Sequence, residues 1–256
     1  MVWIYGVVFI SGIVIVAVGG MILVRRSVAL ELLESHNEVA GFIYAVVGVI
    51  YAVLLAFVVT FVWDQHQAAE ARVEQEANEL GDLFRDAEAF PREVRLELQA
   101  HIRHYVSTVK DLEWQAMAEG DPSLEAWGAF NRLWGAYVEY IPETAQERTW
   151  YGEAIDDLNE VGNFRRLRLL SSHATVPGIL WITLLFGGAI TTGFSYFFGA
   201  KSLSAHALMV VAVSSIIALI LFVIFALNHP FRGLTPVTPT AFDQLVDIFD
   251  SWARLP

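Results

Sequence analysis

The fold this 256-residue sequence predicts is that of an all-α integral membrane protein, with four transmembrane helices arranged two plus two around an inserted soluble four-helix bundle. Three observations predict it. Four charge-free runs, Met1 to Val24, Val39 to Trp63, Leu169 to Ala200 and Ser202 to Phe231, are each long enough to cross a hydrocarbon core of about 30 Å as one helix. The composition, 55% hydrophobic and 17% charged, is more apolar than that of a soluble domain. The formal net charge of −12 is concentrated in one place, because residues 64 to 172 hold 22 acidic and 11 basic side chains. The predicted domain boundaries are 1–63 for the first helix pair, 64–172 for the bundle, 173–228 for the second pair and 229–256 for the tail.

Span one covers roughly Trp3 to Val24, with Gly6, Gly12, Gly19 and Gly20 among Val and Ile, and with Trp3, Tyr5, Arg25 and Arg26 as interfacial anchors. It has neither a basic n-region nor a small-residue cleavage motif, which favours a permanent helix over a signal peptide. The link from Ser27 to Asn37 sets Val28, Leu30, Leu32 and Leu33 among Glu31, Glu34 and His36, the pattern of a short helix at the membrane surface.

Span two organises the chain. No charge occurs between Glu38 and Asp64, and no Gly or Pro separates the apolar run from the charged helical pattern after it, so one continuous helix is expected. On a helical wheel Gly41, Ala45, Gly48, Ala52, Ala56 and Val59 form a narrow seam of small residues. Ile43, Ile50, Leu54, Phe57 and Phe61 fall opposite, and Tyr44 and Tyr51 lie on a flank. Such a seam lets another backbone approach closely.

In the bundle, Ala69, Val73, Leu80, Leu83 and Phe84 continue the second span. Pro91 starts a helix whose apolar stripe reads Val94, Leu98, Ile102, Tyr105, Val109 and Leu112. Gly120-Asp121-Pro122-Ser123 is a turn, after which Leu124, Trp127, Phe130, Trp134, Tyr137 and Val138 mark a third helix. A fourth follows Pro142 through Trp150, Ile155, Leu158, Val161 and Phe164 to the Arg165-Arg166-Leu167-Arg168 cluster. Span three, Val176 to Phe198, opens at Pro177 and is joined by Gly199-Ala200-Lys201-Ser202 to span four, His206 to Leu227. The tail ends in an amphipathic stretch with Phe242, Leu245, Val246, Phe249 and Trp252 on one face. An interfacial helix, a plug and a clasp on the bundle are all open to it.

Several function classes are excluded or disfavoured. Absence of cysteine removes disulfides, thiolate catalysis and cysteine metal sites. The acidic balance argues against nucleic acid, whose phosphates need Lys and Arg. No nucleophile elbow, phosphate loop or His-Glu-x-x-His motif occurs, so neither an enzyme nor a cofactor is expected. His101 and His104, near Glu97, are the nearest approach to a metal constellation, but two histidines three apart on a soluble helix are usually solvated, and no metal is expected. The spans lack the internal charges that ion-coupled pumps need. A pore needs only a wettable path. In a homo-oligomer for small inorganic ions, the face of Ile43, Ile50, Leu54, Phe57 and Phe61 would form a hydrophobic gate, and Glu38 and Asp64 would ring its mouths. The alternative is that these residues face lipid and the seam packs on spans one and three, with Glu38 a helix-start acid and Asp64 an interfacial anchor.

Four spans put the bundle and both termini on one side of the cell inner (plasma) membrane. Arg72, Arg165, Arg166, Arg168 and Arg232 lie near the membrane on that side, against Arg25, Arg26 and Lys201 on the other, a vote for a cytoplasmic bundle.

The stretch from His36 to Leu55, HNEVAGFIYAVVGVIYAVLL, resembles the signature of the bestrophin-like family, as do the two-plus-two spans and the tail motif Pro230, Phe231, Arg232, Gly233 followed by Val237, Pro239 and Phe242. The resemblance implies an oligomeric ion channel in which the second span lines an apolar neck and the helical domain extends the pore. It also implies a departure: calcium-binding bestrophins carry acids just after the Pro-Phe turn, where this chain has Leu234-Thr235-Pro236-Val237. The rival reading is a non-conducting, membrane-anchored scaffold or sensor whose bundle binds a protein partner, with Trp127, Trp134 and Trp150 as anchors.

Overall fold

The computed structural model of the protein describes residues 2–252, whose regular secondary structure is all helical, with no strand among them. The helices are α1 (Val2–Ser27), α2 (Leu30–Ser35), α3 (Asn37–Asp86), α4 (Arg92–Thr108), α5 (Trp114–Glu119), α6 (Leu124–Glu139), α7 (Ala145–Ser172), α8 (Gly178–Phe194), α9 (Leu203–Leu227) and α10 (Thr240–Trp252). A π turn, Val109–Glu113, joins α4 to α5. Helices α1, α3, α8 and α9 are long and apolar enough to cross a membrane. The chain divides into two units, Met1–Asp64 with Thr175–Asn228, and Gln65–Ala174 with His229–Pro256.

In the first unit α1 packs along α9, with Ala17, Met21 and Val210 buried between them. The first half of α3 lays Tyr51, Leu55, Val58 and Val62 against Leu184 of α8 and Ile217, Leu221 and Ile224 of α9. A close approach is that of the Tyr51 ring to Gly187 and Gly188. A Cβ on Gly187 would stand 2.5 Å from a Tyr51 ring carbon, and one on Gly188 2.9 Å from its hydroxyl oxygen. That hydroxyl donates to the Leu184 carbonyl at 2.9 Å, which satisfies a polar group where no water is at hand. At the short links the Asn37 side-chain amide pairs both ways with the Gly199 backbone, donating to its carbonyl at 2.7 Å and accepting from its N–H at 2.8 Å. Any Cβ at position 199 would collide with the backbone of Glu34, so this close approach requires glycine.

The second unit is built on the other half of α3, with α4, α6 and α7 around a core that includes Leu80, Leu83, Leu98, Ile102, Leu133 and Leu158. Its helix ends are set by local chemistry. Ser123 caps α6 by accepting from the Ala126 N–H, Thr144 and Glu147 form a reciprocal capping box on α7, and Gly120 closes α5 at φ +94°. The tail is a clasp on this unit. Phe242, Leu245 and Phe249 of α10 are buried in its core, and Phe249 stacks on Phe84 with ring centroids 4.1 Å apart. Ahead of α10, the Pro230 carbonyl accepts from the Val237 N–H at 2.7 Å across a turn containing Gly233 at φ +108°, and Phe231 sits edge-on to Trp114.

Two expected faces are corrected. The π turn adds a residue to the helical repeat and rotates the side chains beyond it, so Leu112 is turned out to solvent and Glu113 takes its place in the core. On α6 the buried face is Ala126, Ala129, Phe130, Leu133 and Tyr137. Leu124 is 79% exposed, Trp127 and Val138 are also exposed, and on α7 so is Trp150.

Filling the Tyr51 contact should destabilise the membrane unit. Gly187→Ala is expected to cost about 1–3 kcal/mol by overpacking and to lower the melting temperature in detergent, and Tyr51→Leu in the same chain should recover part of the loss.

Candidate functional site

Helix α3 presents three faces within the first unit. Tyr44, Tyr51, Leu55, Val58 and Val62 are turned to the chain's own helices, Tyr44 against the rings of Phe194 and Phe198. Ile43, Ile50, Phe57 and Phe61 are exposed, Phe57 at 72%, whereas Leu54 is half-buried against the α8–α9 cluster. The small seam is the third face. A Cβ on Gly41 or Gly48 would meet nothing within 4 Å, and Ala45, Ala52 and Ala56 are exposed. The expectation that the seam packs on spans one and three is not met within the chain. Gly48, Ala52 and Ala56 instead line an apolar groove of about 540 Å³ whose other wall is Val213, Ile216 and Ile220 of α9. The reason is that Tyr51, too large for a seam, finds its space at Gly187 and Gly188 and turns the small residues away. Glu38 and Asp64, at the two ends of the uncharged run, are both exposed.

The second unit contains a buried cluster of charges: Glu76 on α3, Glu113 on the π turn, and Arg165 and Arg168 on α7, each at most 1% exposed. Arg168 donates through Nε and Nη2 to Glu76 at 2.6 and 3.1 Å, and through Nη2 to Glu113 at 2.7 Å. Arg165 donates to the other Glu113 oxygen at 2.5 Å and lies over the Trp127 ring at 4.1 Å. The Tyr105 hydroxyl of α4 donates to Glu76 at 2.6 Å. Burial acts to lower the Arg168 pKa, but Glu76 and Glu113 outweigh it and raise it, so the guanidinium stays charged. Burial, and next the Glu76 charge, push Tyr105 well above the usual phenol range, which keeps its proton available as a donor. Two positive and two negative charges balance, as burial demands.

Arg165 and Arg168 thus lie in the bundle core, paired with Glu76 and Glu113. The spacing held a signal for the cluster. Arg165 and Arg168 follow Leu158 and Val161 on one helical face, and Glu76 lies between Val73 and Leu80. Glu113 follows Val109 by four residues on the same helical face, and the π turn carries it fully inward.

A second electrostatic feature joins α3 to α7. Asp157 is hydrogen-bonded to Asp86, with Glu79 and Asp82 also facing it, and burial followed by these charges pushes its pKa from 3.8 up to about 7. Elsewhere on the bundle the Arg132 guanidinium donates to Nε2 of His104 at 2.9 Å, so a cation sits where a metal would have to bind that nitrogen. No group of three or more potential metal ligands occurs among the described residues.

A profile of the bestrophin-like domain matches residues 11–242, most of the chain. No curated protein matches it. Two solved structures share the fold. One is a bacterial bestrophin homologue from Klebsiella pneumoniae and the other is described only as a membrane protein, each crystallised as a point variant. Both superpose with a TM-score of 0.73 at 13% identity, covering 96% of this chain and 99% of theirs.

Removing one member of the buried cluster leaves charge unpaired in the core. Glu113→Ala is expected to destabilise the protein by about 3–5 kcal/mol, measured by thermal or denaturant unfolding in detergent, and Glu113→Gln by less. The Asp157 carboxyl binds its proton more tightly in the folded than in the unfolded chain. Its stabilising contribution is therefore complete below about pH 4 and lost as pH rises through about 7. The melting temperature should fall between pH 5 and pH 8, and Asp157→Asn should raise it at pH 8 and flatten the dependence.

Proposed function

Because this chain belongs to the bestrophin-like family, we propose that it works as a homo-oligomeric ion channel, with the membrane half of α3 lining the pore. Bestrophins proper are oligomeric ion channels. The observation that carries the reading is the state of α3 in a single chain: over the uncharged run between Glu38 and Asp64, the face of Ile43, Ile50, Phe57 and Phe61 and the small seam are both left uncovered by the chain's own helices. In a ring of subunits one face can turn to the axis while the other takes the neighbour, the small side chains allowing close contact.

With the large apolar residues at the axis, the path is closed by dewetting and opens when α3 rotates or the neck hydrates. Rings of Glu38 and Asp64 at the mouths, together with the net charge of −12, favour small inorganic cations by raising their local concentration. No step requires a cofactor or a bond-making residue, which fits the absence of a catalytic motif.

Flux measurements on proteoliposomes test this. The protein is expected to pass small ions, Phe57→Ala to increase the flux by removing bulk from the gate, and Glu38→Gln to reduce the preference for cations over anions. Failure of the wild type to pass either cations or anions at either polarity of voltage would contradict the proposal.

A further inference from the structure

In the second unit α3 and α7 are joined by a hydrogen bond between two carboxyl groups. Asp86 is the last residue of α3, Asp157 lies midway along α7, and both are half-buried where their side chains meet. Two ionised carboxylates cannot make that bond, because each only accepts; one of the two must carry a proton. Acids face the pair from both helices, Glu79 and Asp82 on α3 and Glu153 on α7, and Glu160 of α7 in turn faces Glu79. From α6 the neighbour is Tyr137, but its hydroxyl donates to the Leu83 carbonyl at 3.4 Å and is not spent on the pair. The cation acting on Asp86 is Arg85, whose guanidinium lies over the Trp252 ring of the tail at 5.5 Å and forms no ion pair among the described residues. Farther along the same helix, by contrast, Arg165 and Arg168 are bonded to Glu76 and Glu113 by contacts that need no shared proton.

We propose that this pair is a proton-operated latch: one proton shared by Asp86 and Asp157 holds the first half of α7 to the end of α3, and loss of that proton lets the two part. Deprotonation replaces a charge-assisted O–H···O bond with two like charges at hydrogen-bond separation, and Glu79, Asp82 and Glu153 add repulsion of the same sign. The release is local. Leu158 and Val161 stay in the apolar core and the two arginines stay paired, so the part set free is α7 from Ala145 to about Asp157. The sign follows from the raised affinity of the folded chain for this proton: the latch is closed below about pH 7 and opens as the pH rises through it. The soluble unit thereby responds to the pH of the solution that bathes it. The response is centred on Asp86, the end of the same unbroken helix whose first half is the uncharged span. This goes beyond the channel reading and does not depend on it.

Two measurements on the full-length protein in a non-ionic detergent test this. Infrared difference spectra taken from pH 6 to pH 8 should show a protonated-carboxyl band that disappears with a midpoint near pH 7 and is missing from Asp157→Asn. Asp82→Asn removes a repelling charge and should move that midpoint to lower pH, whereas Glu119→Gln, an exposed acid on α5, should leave it in place. The chain has no cysteine of its own, so spin labels at Glu88→Cys, just beyond α3, and at Gly152→Cys on α7, where a side chain meets nothing within 4 Å, report the separation directly. A single narrow distance distribution is expected at pH 6, with a longer and broader one added at pH 8.5. In Asp157→Asn the amide N–H donates to Asp86 without titrating, and the distribution should stay narrow at both. A carboxyl band that persists in Asp157→Asn, a midpoint that Asp82→Asn leaves unmoved, or wild-type distances that are the same at both pH values would overturn the proposal. None of these readouts depends on whether the protein conducts.

Discussion

Four charges with no access to water constrain the bundle more tightly than its apolar core does. Leucines and valines can exchange places at modest cost, but Arg168 must meet Glu76 and Glu113 together, and Arg165 must meet the second oxygen of Glu113. Those contacts fix α7 against α3, and Tyr105 brings in α4 through the same Glu76 carboxylate. They also explain the π turn, which is the local irregularity that delivers Glu113 inward. The rings of Trp114 and Phe242 lie 5.5 and 5.8 Å from the Arg168 guanidinium, so the tail helix contributes to the enclosure of the charges as well as to the apolar core.

The membrane unit answers a different constraint. With hydrocarbon outside, apolar contact between helices brings little gain over lipid, and specificity comes from shape and from the few polar groups. Tyr51 over Gly187 and Gly188, Tyr196 over Gly20 and the Asn37 clasp on Gly199 serve that purpose here, each pairing a large or amide side chain with a glycine that admits it. Because these contacts occupy one flank of α3, its remaining faces are left for lipid or for other subunits.

How much of this was legible depends on what periodicity encodes. The spans, the surface helix at Leu30–Ser35, the start at Pro91 and the turn at Gly120 to Ser123 are set by composition and by residues with one dominant backbone use. The apolar face of α10 was legible too, but not its partner, since an amphipathic stripe fits a membrane surface as well as a helical core. Leu112 was misplaced because a π turn leaves the spacing of Val109 and Leu112 looking regular while rotating the helix. At the candidate pore the wheel separated large from small residues on α3, and Leu54 showed its limit, falling with Ile50 and Phe57 by angle yet half-covered by α8 and α9. A wheel orders the side chains around an axis; it carries no information on which neighbour each will meet.

The central claim is that α3 lines an ion path in a closed ring of identical subunits. Single-particle imaging of the detergent-solubilised protein tests it most directly, by counting subunits and locating α3. A ring of four or more chains with Ile43, Ile50 and Phe57 facing the axis is the predicted result. A monomer, or a compact dimer with a dry and fully packed membrane region, would contradict it and point to a membrane-anchored scaffold.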